Sequence, residues 1–160
     1  MTTIRAETFV AAPPERVFDL TRCVSLREDA LTHNHLHAVA GVGDDLLSPG
    51  TSVVWQTRLL GMSVALTMRL ATYNRPRHFR ERMVDGPFER LIHDRFFEPE
   101  DGGTLVRDVL TFESPLGGLG EAADAIYLER FFRDGLDRLD RAVRDAAESD
   151  DWRRYLAESA

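Results

Sequence analysis

The strongest constraint on this chain is a change of period along its length. From Thr51 to Leu60, Val53, Trp55, Thr57 and Leu59 share one face, opposite Ser52, Gln56 and Arg58. After Gly61 the pattern continues from Met62 to Ala71. Met62, Val64, Leu66, Met68 and Leu70 face one way; Ser63, Ala65, Thr67, Arg69 and Ala71 face the other. Such alternation marks antiparallel strands with one covered face. From about Glu121 to Ala147 the spacing becomes three and four: Phe132, Leu136, Leu139, Val143 and Ala146 form one apolar stripe on a long helix. Glu129–Arg133, Asp134–Arg138, Asp137–Arg141 and Asp140–Arg144 stand four apart and are expected on its wet side, each pair contributing ~0.2–0.5 kcal/mol.

The rest of the chain fits around these two patterns. Ile4 to Val10 reads as a first strand. Pro13 and Pro14 stop it and start a helix, with Glu15 at its positive end and Val17, Phe18 and Thr21 on its buried face. A second helical stretch is expected around Ser25 to Leu31. Period two returns after Leu36, and shorter strands follow at His78–Val84, Phe88–Glu98 and Leu105–Phe112. Asp85-Gly86-Pro87 and Glu100 to Gly103 separate them as hairpin loops. The chain has 160 residues, no linker and no repeat. It reads as one α+β domain over residues 1–148, followed by a polar tail over 149–160 that Trp152 and Tyr155 tack down.

Hairpin arithmetic places polar groups among the covered residues. With Glu100 to Gly103 as a four-residue loop, Phe97 faces Val106, Arg95 faces Asp108 and His93 faces Leu110. With Asp85 to Pro87 as a three-residue loop, Glu81 faces Leu91, Phe79 faces His93, and Glu81 lies diagonal to His93. The inward polar set is Glu81, His93, Arg95 and Asp108; a slip of one residue would reverse every assignment. Buried charges without partners are costly, so these groups should pair with one another or with a ligand.

The order of elements, with Ala12-Pro13-Pro14-Glu15-Arg16-Val17-Phe18, Pro49-Gly50-Thr51, Pro76 to Phe79, Gly86-Pro87-Phe88, Gly102-Gly103-Thr104 and Pro115-Leu116-Gly117, resembles the START-like (SRPBCC) superfamily over about Thr3 to Val143. That superfamily includes the birch-pollen-allergen fold and bacterial polyketide cyclase/dehydrase proteins. The resemblance implies a helix-grip fold: a curved antiparallel sheet of about seven strands wrapped around a long C-terminal helix, with an apolar cavity between them. It carries over no catalytic residue, because the superfamily has no universal one.

Three functions follow. In the first, a hydrophobic small molecule or lipid binds between sheet and helix. Trp55, Met62, Val64, Leu66, Met68, Phe79, Met83, Leu91, Phe97, Leu110 and Phe112 line the sheet side. Phe131, Phe132, Leu136 and Leu139 close the cavity from the helix, and His93, Arg95, Asp108 and Glu81 orient the polar end. Gly117 to Gly120 gates entry. In the second, a cofactor-independent cyclase, dehydratase or isomerase uses His93 as acid or base, oriented by Glu81, and Arg95 to stabilise an enolate. In the third, a protein-interaction module uses the outward face bearing Arg58, Arg69, Arg80, Arg82, Arg90 and Arg107.

Other chemistries are weaker. His33, His35 and His37 would share a face on a strand, but they sit where a turn is expected, so no metal is assigned. Gly118-Leu119-Gly120-Glu121-Ala122-Ala123 matches the loose dinucleotide fingerprint, yet no parallel strand follows it and Glu121 would repel a pyrophosphate. No Ser stands in a nucleophile elbow, and nothing in sequence fixes a His beside Cys23. All 20 basic residues are Arg, so lysine chemistry is excluded. The longest run free of Asp, Glu and Arg is 14 residues, too short to span a membrane. One cysteine and the lack of an apolar leader fit a cytoplasmic protein. A net charge of -7 argues against nucleic acid. No cofactor is expected, and the reading leaves room for a homodimer.

Overall fold

The computed structural model describes residues 1–114 and 121–156. Seven strands form one antiparallel sheet: β1 (Thr2–Val10), β2 (His37–Ala40), β3 (Ser52–Leu59), β4 (Met62–Asn74), β5 (His78–Asp85), β6 (Arg90–Glu100) and β7 (Gly103–Glu113). Their spatial order is β1-β7-β6-β5-β4-β3-β2. Helices α1 (Pro14–Thr21) and α2 (Val24–Ala30) follow β1, and α3 (Glu121–Ala147) carries the apolar stripe onto the sheet. This is the helix-grip architecture. A five-residue α4 (Trp152–Leu156) ends the described chain. The tail is therefore docked: Arg16 lies over the Trp152 ring, and the Tyr155 hydroxyl donates to Asp29.

The β6–β7 register is the one that the loop arithmetic gives: Phe97 with Val106, Arg95 with Asp108, His93 with Leu110. The turn itself is tighter than four residues, because Glu100 still pairs with Gly103 and Gly102 takes the left-handed φ of 81°. The β5–β6 register differs from expectation by two residues. Glu81 lies directly opposite His93, and Phe79 opposite Arg95. The loop is longer because Phe88 turns inward against Phe112 and Phe132, and the strand resumes only at Arg90. A shift of two preserves parity, so the inward polar set keeps its face. In β4 an irregularity between Leu70 and Thr72 turns Tyr73 inward, where it meets Phe18.

The core is in two parts. One gathers around Phe18, whose ring meets Phe79, Phe97 and Tyr73 edge-on. The other holds Ile4, Leu66, Leu91, Leu110, Phe112 and Leu136. Between them β5, β6 and β7 contribute Glu81, His93, Arg95 and Asp108 in a polar belt. Three of the four acid–base pairs expected along α3 form: Glu129–Arg133, Asp134–Arg138 and Asp137–Arg141. The Asp140–Arg144 expectation is corrected. Asp140 lies four residues after Leu136 and three before Val143, inside the apolar stripe, and its buried carboxyl meets Arg95.

Candidate functional site: a cavity above a buried ionic belt

Between sheet and α3 lies a cavity of about 160 Å³, bounded also by α2 and the segment after it. The sheet supplies Trp55, Thr57, Leu66, Met68, Glu81, Leu91 and Leu110; α3 supplies Phe131, Phe132, Gly135, Leu136 and Leu139. Arg27, Leu31, Asn34 and Leu36 complete it. The wall is overwhelmingly apolar, as expected of a small-molecule cavity. His33 Nε2 lies 2.9 Å from Asp134 and bridges to α3 beside this opening.

Several residues expected to line the cavity lie elsewhere. Met62, at the β3–β4 hairpin, is 62% exposed. Phe79 and Phe97 are packed around Phe18. Phe112 packs against Phe88 and Phe132, and Val64 and Met83 are half-buried against the same cluster. His93, Arg95 and Asp108 are beside the cavity and outside its wall. The polar end of the wall is instead Arg27 and Glu81. Sequence reading missed Arg27; its signal was the spacing Val24, Arg27, Leu31, which puts it on the apolar side of α2.

The belt is densely bonded. Arg27 Nη1 donates to Glu81 Oε1 at 2.8 Å, and its Nε donates to the Thr21 carbonyl at 2.8 Å. Arg95, with no solvent exposure, places Nε 2.6 Å from Asp108 Oδ1 and Nη2 3.2 Å from Asp140 Oδ1. His93 Nε2 lies 2.8 Å from Asp108 Oδ1 and 3.2 Å from Arg95 Nε. Thr8 donates to Asp140 Oδ2 at 3.4 Å. Arg27 Nη2, Arg95 Nη1 and Asp108 Oδ2 are buried and have no hydrogen-bond partner among the described residues.

These contacts set the charge states. Burial alone would raise the Glu81 carboxyl, but Arg27, helped by His93 and Arg95, holds it below its ordinary pKa. Burial likewise opposes ionisation of Asp108, and Arg95 and His93 outweigh it, so Asp108 is also lowered. Asp140 goes the other way. Burial, together with the neighbouring Asp108 carboxylate, overcomes Arg95 and pushes it up to about 8. Burial and Arg95 lower the His93 imidazole against the pull of Asp108 and Glu81. At neutral pH the belt thus holds two guanidiniums, two carboxylates, a neutral Asp140 and a neutral His93. Arg95 Nε donates to His93 Nε2, the same ring nitrogen that faces Asp108 Oδ1.

The three histidines of the HNHLH stretch do not converge. Thr32–Asn34 is a short 3-10 turn, His35 takes φ 54°, and His37 faces Glu28 at 3.8 Å. Among the described residues no group of three His, Cys, Asp or Glu side chains is arranged to hold a metal ion, and no helix is long and apolar enough to cross a membrane. On the outward sheet face Arg80 is held by Asp94, and Arg107 by Glu98 and Glu7; Arg58, Arg69, Arg82 and Arg90 are exposed. Residues 117–120, expected to gate entry, lie outside the described residues.

Comparison with known proteins agrees with this architecture. An aromatase/cyclase, Zhui, from Streptomyces sp. R1128 superimposes with a TM-score of 0.74 at 17% identity, covering 99% of this chain and 98% of its own. A protein of Thermus thermophilus gives 0.73 at 23% identity, with 99% and 100% covered. The ginseng major latex-like protein 151 of Panax ginseng gives 0.65 at 10% identity, with 91% and 97% covered. At these identities the likeness is one of fold. A search of curated proteins found no match. Residues 1–144 match the family described as "Polyketide cyclase / dehydrase and lipid transport", and with the helix-grip sheet and its cavity in place, the chain belongs to that family.

Proposed function

We propose that the protein binds a hydrophobic small molecule or lipid in the cavity between the sheet and α3. The observation that carries this reading is Gly135. It lies mid-helix, on the cavity wall, where glycine costs ~0.8–1 kcal/mol relative to alanine. A Cβ built there would meet only Leu31 Cδ2, at 3.9 Å. No close packing requires the glycine, so its effect is to keep the wall recessed at a cost in helix stability. The family's description, which includes lipid transport, supports the same reading.

The test uses Trp55, which lines the cavity. The chain has two tryptophans, and Trp152→Phe leaves Trp55 as the sole indole reporter. Titration with N-phenyl-1-naphthylamine, a neutral apolar fluorophore, should quench Trp55 saturably through energy transfer. A response that stays linear to the solubility limit contradicts the reading.

A second reading, turnover of a carbonyl substrate by a cyclase or dehydratase mechanism, is favoured by one observation. His93 lies between Glu81 and Leu110 of the cavity wall, and burial and the neighbouring Arg95 lower its pKa, which favours the neutral imidazole. The likeness to an aromatase/cyclase supports it. In that mechanism His93 moves the proton. The enolate role expected of Arg95 fits the geometry less well, since Arg95 is committed to Asp108 and Asp140 behind the wall. His93→Ala separates the readings: an enzyme loses rate with binding kept, whereas a binder has no rate to lose.

A further inference from the structure

Charge balance at the cavity's polar end speaks to the kind of ligand. Arg27 and Glu81 are the charged residues on the wall. Arg27 is only 7% exposed, and its three donor nitrogens have distinct fates. Nε goes to the Thr21 carbonyl and Nη1 to Glu81, while Nη2 is buried without a partner among the described residues. The wall therefore carries no unmet positive charge, because Arg27 is answered by Glu81. Behind it the pattern repeats, with Arg95 set against Asp108. Thr57, another polar wall residue, already donates to the Asn34 carbonyl at 2.9 Å.

We infer that the cavity selects an uncharged hydrophobic ligand and that it discriminates against the matching carboxylate. This rests on the binding reading above. A neutral ligand leaves the Arg27–Glu81 ion pair intact. A carboxylate brings a second negative charge beside Glu81, and no further cation on the wall answers it. An arginine on a cavity wall would ordinarily suggest an acid-binding site; here Glu81 reverses that expectation.

The test compares three probes of one ring system by isothermal titration at pH 7.5: 2-acetonaphthone, 2-naphthoate and 2-ethylnaphthalene. The ketone and the carboxylate have nearly the same shape and differ in charge; the hydrocarbon lacks the oxygen. The ketone is expected to bind at least about tenfold more tightly than the carboxylate, and the uncharged hydrocarbon should also bind more tightly than the carboxylate. Glu81→Gln, which keeps the side-chain shape and frees the Arg27 charge, should narrow or reverse the ketone preference. Equal or tighter binding of 2-naphthoate to the native protein overturns the inference and leaves the binding reading standing. A hydrocarbon that binds more weakly than the carboxylate, or an unchanged ketone-to-carboxylate ratio in Glu81→Gln, overturns the charge argument. If that variant does not fold, the ratio in the native protein decides alone. Failure of all three probes to bind overturns the binding reading, and this inference with it.

Discussion

Filling the recess at Gly135 should make the protein more stable and less able to bind. The Cβ of Gly135→Ala meets Leu31 Cδ2 at 3.9 Å, an ordinary contact, so no strain offsets the gain in helix propensity. That gain is ~0.8–1 kcal/mol, or roughly 2–4 °C in Tm for a chain of this length. Gly135→Leu goes further. Its side chain enters a cavity of about 160 Å³ walled by Leu66, Met68, Leu110 and Leu136. Burying a leucine side chain in apolar surroundings contributes ~1.5–3 kcal/mol beyond propensity. Differential scanning calorimetry should show both variants melting above the native protein, leucine the higher. Titration with N-phenyl-1-naphthylamine should show affinity falling in the same order. A leucine variant that melts lower, or one that binds the probe as tightly as the native protein, would refute the view that Gly135 holds open a ligand space.

Asp108→Ala leaves Arg95 buried with Asp140 as its remaining acidic partner; breaking a buried pair costs ~3–5 kcal/mol, so Tm should fall by roughly 6–20 °C, and an unchanged melt would reject the pairing. Asp140 supplies a pH signature. Its folded pKa is raised to about 8, so its contribution is fully present below its unfolded pKa near 4 and is lost as pH rises through 8. The lowered His93 opposes this only below about pH 6.5, and the lowered Glu81 and Asp108 act only below about pH 4.5. Stability should therefore fall by ~1–2 kcal/mol between pH 6.5 and 8, and Asp140→Asn should flatten that slope in thermal melts. At the β3–β4 turn Leu60 takes φ 51° and is 52% exposed; Leu60→Asn, which tolerates that conformation, should stabilise by ~1 kcal/mol in urea unfolding.

The sheet was legible because alternation fixes parity and parity fixes what lies inside. The Arg95–Asp108 pair followed from one hairpin, whose register survived even though its turn is tighter than four residues. The β5–β6 offset was not legible: nothing in Asp85-Gly86-Pro87 says that Phe88 will leave the ladder for an aromatic cluster. Asp140 was misplaced because its spacing to Arg144 resembles a surface pair, although it shares the face of Leu136, Leu139 and Val143. Arg27 stands in a short helix with a weak pattern, and its partner Glu81 is far away in sequence; only the packing of α2 over the sheet joins them. The cavity wall was the least legible part. Parity tells which residues face inward, but not which inward residues pack against each other. Phe79 and Phe97 meet Phe18, whereas Leu66 and Leu110 face the open space.

The central claim is that a hydrophobic ligand enters between the sheet and α3. Methyl-labelled NMR during titration with 2-acetonaphthone tests it most directly. Leu66, Met68, Leu110, Leu136 and Leu139 should shift together and yield one dissociation constant, while the exposed Met62 methyl stays still. Shifts confined to Met62 and Leu60, or no saturable shift at the five wall residues, would contradict it.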